Sequence, residues 1–366
     1  MVIDALLRIV AVPLLLSFII TAAVTPLCIV LLKKFNIIDD PRLRKHPGII
    51  HTKPVPRGGG IPLLLGVIVS GLFLLPISDI TIALMFASLI ALVVGIIDDA
   101  YNAKAKDLHP YIRLMFNVVC AIIVVAAGVS IDFITNPLGG IIHFDAMQLP
   151  FLLPYVAISL SQIITIIWIV WVMNMLNWSK GVDGQMPGIV GISAIIIGLV
   201  GLHSFSTDPK VLIEIQLSFM IAGSAFGFLL FNFYPAKIFP GYGATSLYLL
   251  LAVVSILSSA KLATALLVMG VPAVDGIFTI ARRLFTGRSP FLHDNKHLHH
   301  LLLTLGFGQR GIAVAYWVFS GFLGVLALTL DSRSKLFALL LLIVVMSGSL
   351  LFLHFIVRYT HEKEAS

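Results

Sequence analysis

Two adjacent aspartates, Asp98 and Asp99, end a long apolar segment in the run GIIDDAYN. Adjacent carboxylates repel each other, and desolvation beside a membrane disfavours their charged forms. A bound Mg²⁺ would relieve both costs, because hard cations prefer oxygen ligands, and Mn²⁺ is an alternative. Since neighbouring helix residues diverge by about 100°, one carboxylate can hold the metal while the other faces a substrate. The alternative interpretation is an acidic helix end in water.

Further polar side chains follow in the run NMLNWSKGVDG, which holds Asn174, Asn177, Lys180 and Asp183. The two asparagines are three positions apart, so a helix places both amides on one face. The glycines let the backbone approach a ligand closely. These side chains are candidates for substrate binding, and the alternative is helix capping and turn formation.

Four histidines fall within eight residues in the run HDNKHLHH, which follows a basic stretch. One hypothesis is phosphate binding by the imidazoles and Lys296, with Arg282, Arg283 and Arg288 nearby in the chain. Zinc is a second hypothesis, but zinc needs three or four well-placed nitrogen or sulfur ligands and no cysteine is near. A solvated polar loop is the third. The histidines are His293, His297, His299 and His300.

Three other motifs support weaker hypotheses. The glycine-rich run at Arg57, preceded by His51 and Lys53, could bind a phosphate through backbone N–H groups or could be a simple turn. The run GYGATS at Gly241 matches half of a dinucleotide fingerprint, but no βαβ unit surrounds it. Asp275 lies inside an apolar segment, where an ionisable group is a functional candidate by default. Its alternative role is pairing with an Arg or Lys to hold helices together.

These motifs belong to a chain of 366 residues that is 59% hydrophobic and only 11% charged. Soluble domains carry roughly 25% charged residues, so lipid must be the solvent for most of this surface. Long apolar runs favour helices over a barrel, because hydrocarbon leaves no partner for unpaired backbone groups. We therefore expect one all-α polytopic membrane domain over residues 1–366. Its eleven predicted spans are 5–32, 61–78, 80–97, 111–131, 151–173, 187–204, 211–232, 244–259, 261–281, 312–330 and 335–358.

The basic residues predict the orientation of these spans. With the N-terminus outside, cytoplasmic segments hold 19 of the 24 Lys and Arg residues and outside segments hold 5, as the positive-inside rule requires. The C-terminus and the polar loops then lie on the cytoplasmic face of the inner (plasma) membrane. Because the net charge of +7 is concentrated in these loops, phosphate-bearing substrates fit better than nucleic acid.

The first apolar run and the two cysteines carry no functional signal. The run 5–32 is too long for a signal-peptide core, so we predict a retained first span. Cys28 and Cys120 both fall inside apolar runs, where cysteine is typically a small buried hydrophobe. They predict neither a disulfide framework nor a metal site.

Seven stretches occur in the order found in the polyprenyl-phosphate N-acetylhexosamine-1-phosphate transferases (glycosyltransferase family 4), which the chain resembles from about Lys33 to Arg310. They are DDPRLRKHPGIIHTKPVPRGGGIP, GIIDDAYN, LHPYIRLMFN, NMLNWSKGVDG, FNFYPAKIFPG, VPAVDGIF and SPFLHDNKHLHH. The resemblance implies transfer of a sugar-1-phosphate from a UDP-sugar to a polyprenyl phosphate, such as undecaprenyl phosphate, with release of UMP. That step would initiate cell-envelope polysaccharide synthesis. The form HLHH resembles the GlcNAc-1-phosphate branch more than the peptidoglycan branch, and a homodimer stays open.

The same resemblance implies roles for individual residues. Asp98 and Asp99 match the family's aspartate pair, and Asn177 matches an asparagine at the metal, so these three would hold Mg²⁺. The catalytic set would be the two aspartates together with His297, His299 and His300, which match the histidine motif that contacts the donor's phosphates. The remaining candidates for substrate binding are His51, Arg57, Arg113, Asn174, Lys180, Asp183, Arg283 and Lys296.

The chain departs from the family pattern around the expected metal. Tyr242 stands where the family places a metal-binding aspartate, and a phenol with a pKa near 10 is a poor Mg²⁺ ligand. Lys180 also replaces an aspartate, and it could supply positive charge where metal is lost. Arg113 stands for a lysine, Asn117 for a glutamine, and the loop at 103–107 is lengthened.

Three functional hypotheses follow. The first is an active transferase with an altered metal site. The second is a weak or inactive homologue that binds polyprenyl phosphate or a nucleotide, suggested by Tyr242. The third is a transporter or channel, which the sequence disfavours because only Glu214 and Asp275 are candidates for polar groups near the midplane of the membrane and no internal repeat is visible.

Overall fold

The computed structural model is predominantly helical. It describes residues 6–43, 51–136, 139–150, 157–203, 205, 209–257, 262–287, 289 and 296–365. Within these residues the chain forms thirteen α-helices, and a π-helical turn at Leu7–Ala11 precedes the first. The helices are α1 Val12–Lys34, α2 Gly60–Leu74, α3 Asp79–Ala103, α4 Pro110–Ala126, α5 Leu160–Trp178, α6 Gln185–His203, α7 Pro209–Asn232, α8 Thr245–Val254, α9 Leu262–Val268, α10 Gly270–Phe285, α11 Leu298–Thr304, α12 Gln309–Thr329 and α13 Ser332–Ala365.

Seven of these helices are long and apolar enough to cross a membrane: α1, α3, α5, α6, α7, α12 and α13. The pair α9 and α10 passes the same test as one unit but bends by 81° at Met269. Each predicted apolar segment coincides with one helix or with this bent pair. However, α2, α4 and α8 are shorter, and the ten residues of α8 rise only about 15 Å, half the hydrocarbon thickness. The chain is a polytopic membrane protein, and the count of eleven spans stays a prediction.

Apolar side chains on the outside of the helices support this assignment. Only 6% of the most apolar stretch of α13 is buried, and Phe352 and Val344 are 63% and 69% exposed there. A surface this apolar is stable only against lipid or a protein partner. The sequence-based assignment of membrane-embedded helices is therefore confirmed in its coarse form.

Six short strands modify the all-α prediction and form three two-stranded antiparallel sheets. The predicted span 151–173 begins too early, because residues 157–159 form a strand and the helix starts at Leu160. Ser159 and Gln162 make a capping box there, which satisfies free N–H groups at the helix start. The strands are β1 Ile38–Asp39, β2 Val55–Pro56, β3 Phe133–Thr135, β4 Ile141–His143, β5 Gln148–Pro150 and β6 Ala157–Ser159.

The short helix α8 lies at the centre of the bundle. All ten of its side chains are buried. The loop before it touches two other backbones: a Cβ at Gly60 would lie 2.1 Å from the carbonyl carbon of Gly243, and a Cβ at Gly95 would lie 2.3 Å from its Cα. Only glycine permits such close approach. The ends of α2 and α3 and the loop 240–244 therefore meet at one point, where the candidate site is built.

Candidate active site

Asp99 is the structural anchor of this meeting point. It lies near the end of α3, wholly buried. Its Oδ1 accepts hydrogen bonds from Arg57 Nε at 2.9 Å and from the backbone N–H of Tyr242 at 2.8 Å, while Oδ2 accepts from the N–H of Gly243 at 3.3 Å. Both oxygens are thus used to hold the loop 241–243 and one basic side chain.

Asp98 is equally buried but differently used. Its Oδ2 accepts a hydrogen bond from Asn102 Nδ2 at 3.0 Å. Its Oδ1 accepts none and lies 3.6 Å from Arg113 Nη1, on α4. A buried oxygen without a hydrogen bond is costly, which makes Asp98 Oδ1 the oxygen of the pair that is open to a ligand.

Arg57 joins the aspartate pair to a third carboxylate. Its Nη1 lies 2.7 Å from Asp39 Oδ2, so the guanidinium bridges Asp39 and Asp99. Burial opposes the charge of Arg57, but Asp99 and Asp39 outweigh burial and raise its pKa. The ring of His51 packs edge-on against Phe239 and its Nε2 lies 3.3 Å from the backbone oxygen of Asp39.

The hypothesis of a phosphate cradle at the glycine run is wrong. The N–H groups of Gly58 and Gly59 donate to the carbonyl of Phe239, and that of Gly60 donates to the carbonyl of Pro240. These donors therefore fix the run against the loop before α8 and cannot bind a phosphate. The alternative interpretation, a structural turn, describes the backbone, while the side chains of His51 and Arg57 remain at the site.

Lys180 follows α5 and points its amine into the site. Its Nζ donates to Asn177 Oδ1 at 2.6 Å and to the backbone oxygen of Gly241 at 2.7 Å. Burial, followed by the charge of Arg57, lowers the pKa of Lys180 to about 7, and the two aspartates oppose that change. The amine thus lies between the asparagine predicted to bind metal and the loop that Asp99 holds.

Tyr242 occupies the side of the site that faces α4. Its ring lies between two basic groups, with the Arg113 guanidinium carbon 5.3 Å and Lys180 Nζ 5.8 Å from its centroid. Its hydroxyl oxygen accepts a hydrogen bond from Asn117 Nδ2 at 3.2 Å. Burial raises the pKa of Tyr242 to about 12, so the residue stays a neutral phenol.

The histidine segment is held by Asp275 from α10. Asp275 Oδ2 lies 2.8 Å from His297 Nδ1, and Oδ1 accepts the backbone N–H of Leu298 at 2.9 Å. Trp178, at the end of α5, stacks with the ring of His297, and the ring centroids are 6.5 Å apart. The sequence offered pairing with an Arg or Lys as one role for Asp275, but its partner is His297.

His299 connects this segment to the rest of the site. Its ring stacks parallel to that of His297 at 5.7 Å, lies 4.3 Å from that of His300, and is almost fully buried. Burial, together with these neighbouring imidazoles, lowers its pKa well below the usual value, so His299 is neutral. A Cβ at Gly181 would lie 1.8 Å from His299 Nε2. The histidines therefore pack against the residue next to Lys180.

Four other candidates lie further from the aspartate pair or are used differently. Asn174 Nδ2 donates to the carbonyl of Val170 in its own helix, and Asp183 Oδ2 accepts the N–H of Ala236. Burial raises the pKa of Asp183. Arg283 is buried at the end of α10, and Lys296 is exposed before α11. Three residues of the basic and histidine stretch lie outside the described residues: Arg288, His293 and Asp294.

Comparison with known proteins places the chain in a family. Residues 81–259 match the model of the family described as Glycosyl transferase family 4. The probable undecaprenyl-phosphate N-acetylglucosaminyl 1-phosphate transferase of Bacillus subtilis (strain 168) is 30% identical in an alignment that covers 94% of this chain and 91% of that protein. This chain belongs to glycosyl transferase family 4.

Two further relatives support the same branch of family 4. The decaprenyl-phosphate N-acetylglucosaminephosphotransferase of Mycobacterium leprae is 28% identical over 83% of this chain and 79% of its own length. The undecaprenyl-phosphate alpha-N-acetylglucosaminyl 1-phosphate transferase of Haemophilus influenzae is 27% identical over 75% and 74%. The resemblance to the GlcNAc-1-phosphate branch is thereby confirmed.

The residues predicted to hold Mg²⁺ do not form a fitting donor set. Both oxygens of Asp99 already accept hydrogen bonds from Arg57 or backbone N–H groups, and Asn177 Oδ1 accepts one from the amine of Lys180. Only Asp98 Oδ1 remains available, whereas Mg²⁺ demands near-octahedral oxygen coordination. Among the described residues, no group of three His, Cys, Asp or Glu side chains is placed to hold a metal. Mg²⁺ therefore stays a prediction from the sequence, and the donor atoms of these residues do not fit it.

Sequence analysis missed Asp39 and did not find the partner of Asp275. Asp39 binds Arg57, and Asp275 binds His297. Asp275 lies inside an apolar segment, and such placement is itself a signal of function, whereas Asp39 follows the first span in a polar loop. Their partners lie 18 and 22 residues away, and neither spacing follows a helical or strand pattern.

We predict that Gly241→Ala destabilises the protein strongly. Gly241 has a φ of +67°, and an added Cβ would lie 2.1 Å from Asp99 Oδ2. The strain and the displacement of Asp99 together should lower the free energy of unfolding by about 3 kcal/mol. The measurement is thermal unfolding in detergent with a thiol-reactive dye, because Cys28 and Cys120 are buried until the protein unfolds.

Gly287→Ala is the matched control for that variant. Gly287 has the same φ of +67° but nothing within 4 Å of the added Cβ, so only backbone strain of about 1 kcal/mol applies. Equal losses in both variants would contradict the tight seating of Asp99 against the loop.

Proposed function

We propose that this protein transfers GlcNAc-1-phosphate from UDP-GlcNAc to a polyprenyl phosphate and releases UMP. The observation that carries the proposal is the convergence of a buried carboxylate, basic side chains and a histidine segment on the loop around Lys180 and Gly181. The relatives with the same motifs are named as polyprenyl-phosphate GlcNAc-1-phosphate transferases. The chain is accordingly a membrane-embedded phosphosugar transferase.

The chemistry requires two anions to meet. An oxygen of the polyprenyl phosphate attacks the β-phosphorus of the donor in line, a new P–O bond forms, and the bond to the α-phosphate oxygen breaks to release UMP. A lipid phosphate is largely ionised near pH 7, so the attacking oxygen needs no strong base. The main demand is therefore electrostatic stabilisation of charge on the phosphates.

Side chains on both halves of the site can meet this demand. The basic groups of Arg113 and Lys180 both lie over the ring of Tyr242, and Arg113 also faces Asp98 Oδ1. The opposite half offers His297 and His299, whose rings stack in parallel. A diphosphate bound between these halves would contact cationic groups on one side and imidazoles on the other.

We further infer that the site faces the cytoplasm at the inner (plasma) membrane, with the N-terminus outside. The excess of 19 basic residues over 5 supports this orientation. The nucleotide then enters from the cytosol and the lipid from the bilayer, through the same end of the bundle. A homodimer remains an open part of the proposal.

The alternative of an inactive homologue is not favoured. It was suggested by Tyr242 alone, whereas the relatives carry the names of transferases. A transporter lacks support for the same reason.

Transfer is tested with detergent-purified protein, labelled UDP-GlcNAc and undecaprenyl phosphate. We expect labelled lipid and UMP in equal amounts, since each turnover yields one of each. Decaprenyl phosphate is run in parallel, because relatives differ in the named lipid. Tight UDP-GlcNAc binding without either product, across both lipids, would instead support a binding-only homologue.

A further inference from the structure

Three carboxylates and three basic side chains form one closed charge cluster at the candidate site. Arg57 contacts both Asp39 and Asp99, with nitrogen–oxygen distances of 2.7 and 2.9 Å. Arg113 faces Asp98 at 3.6 Å. Lys180 completes the cluster through Asn177 and Gly241 and lies within electrostatic range of both paired aspartates. When all six groups are ionised, their charges cancel.

The amine of Lys180 is placed like a bound cation. It lies 2.6 and 2.7 Å from two oxygens, the side-chain oxygen of Asn177 and the backbone oxygen of Gly241. Amide and carbonyl oxygens of this kind are what a hard cation takes from a protein. A metal at this position would have to displace the amine from both oxygens.

The ring of Tyr242 also lies close to the amine of Lys180. Its ring lies 5.8 Å from Lys180 Nζ, and its hydroxyl oxygen accepts a hydrogen bond from Asn117. A neutral phenol adds no negative charge that could balance a second cation. A divalent ion beside Lys180 and Arg113 would therefore meet two positive neighbours, and from the paired aspartates it would find one carboxylate oxygen without a hydrogen bond, Asp98 Oδ1.

We propose that Lys180 takes the place of the divalent cation, so that lysine and arginine supply the positive charge for the diphosphate donor and this protein transfers without a bound metal ion. The inference rests on the proposed transferase function. It assigns Lys180 and Arg113 to the donor's phosphates. It also explains Tyr242, because an uncharged side chain beside Lys180 keeps the charges of the cluster balanced.

Metal binding is measured first, without substrates, by electron paramagnetic resonance of Mn²⁺ added to the purified protein. We expect the wild-type protein to leave Mn²⁺ free. The variant Lys180→Asp/Tyr242→Asp restores two carboxylates and should bind about one Mn²⁺ per chain, displaced by Mg²⁺. Lys106→Asp reverses an exposed charge beyond α3 and is the control that should gain no site.

Stoichiometric Mn²⁺ binding by the wild-type protein, with competition by Mg²⁺, would overturn the proposal. This titration needs no variant, so it decides the question even where the double substitution does not fold. It also needs no turnover, so it separates failure of this inference from failure of the proposed function.

Transfer is then measured with EDTA and with Mg²⁺. We expect wild-type rates within about 2-fold of each other, whereas a loss of tenfold or more in EDTA that Mg²⁺ restores would contradict the proposal. Lys180→Met should lose at least about 100-fold under both conditions, because it keeps the aliphatic stem and removes the cation. Full activity of Lys180→Met would equally overturn the inference.

Discussion

Asp98→Asn is expected to abolish transfer while leaving the fold intact, whereas Asp99→Asn is expected to weaken the fold itself. Asp98 Oδ1 accepts no hydrogen bond, so losing its charge breaks no internal contact except the long pair with Arg113. Transfer should fall at least about 100-fold, because Arg113, a cation assigned to the donor's phosphates, loses the carboxylate that positions it. Stability should stay within about 1 kcal/mol of wild type.

Asp99 behaves differently because both of its oxygens are engaged. An amide at this position removes the charge that Arg57 pairs with and turns an N–H₂ group towards other donors. Breaking a buried ion pair from one side costs about 3 to 5 kcal/mol. We therefore expect a clear fall in the thermal midpoint together with lost activity.

The two variants are compared by thiol-dye unfolding and by transfer assay in one preparation. Asp145→Asn, on an exposed carboxylate next to the β4 strand, is the control that should change neither quantity. A destabilised Asp98→Asn, or a stable and active Asp99→Asn, would reverse the assignment of the two roles.

The aspartate pair illustrates how far the sequence could go. Adjacent positions on a helix predict that the two carboxylates point apart, and the structure agrees. The different roles of the two carboxylates depend on Arg57 and Tyr242, which contact Asp99 from 42 and 143 residues away in the chain. No local pattern encodes such a contact, because it arises only when α2, α3 and the loop before α8 pack together.

Prediction of the fold from the sequence has the same limit. Apolar content located the eleven helical segments, since lipid-facing helices need long apolar runs. It could not locate the break at Met269, because α9 and α10 are apolar on both sides of an 81° bend. That bend starts α10 at Gly270, one and a half turns before Asp275, the carboxylate that meets the histidine segment.

Asp275→Asn is expected to lower the turnover rate by about 100-fold with little change in stability, which corresponds to about 2.7 kcal/mol of transition-state free energy. The carboxylate accepts from both His297 Nδ1 and the N–H of Leu298. Such an acceptor fixes the imidazole tautomer, with the proton on Nδ1 and none on Nε2. An amide can supply either an acceptor or a donor to the ring, so the tautomer is no longer fixed.

A double-mutant cycle with His297→Ala separates this role from a purely structural one. If Asp275 acts by positioning His297, then Asp275→Asn should add almost nothing to the loss already caused by His297→Ala. Asp331→Asn, an exposed carboxylate at the start of α13, is the control and should leave the rate unchanged. Additive losses in the double variant would show that Asp275 contributes independently of the histidine. A fall in stability with an unchanged turnover rate would reduce Asp275 to a cap for α11. Either result would remove the tautomer argument, which depends on the carboxylate reaching the substrate only through the imidazole.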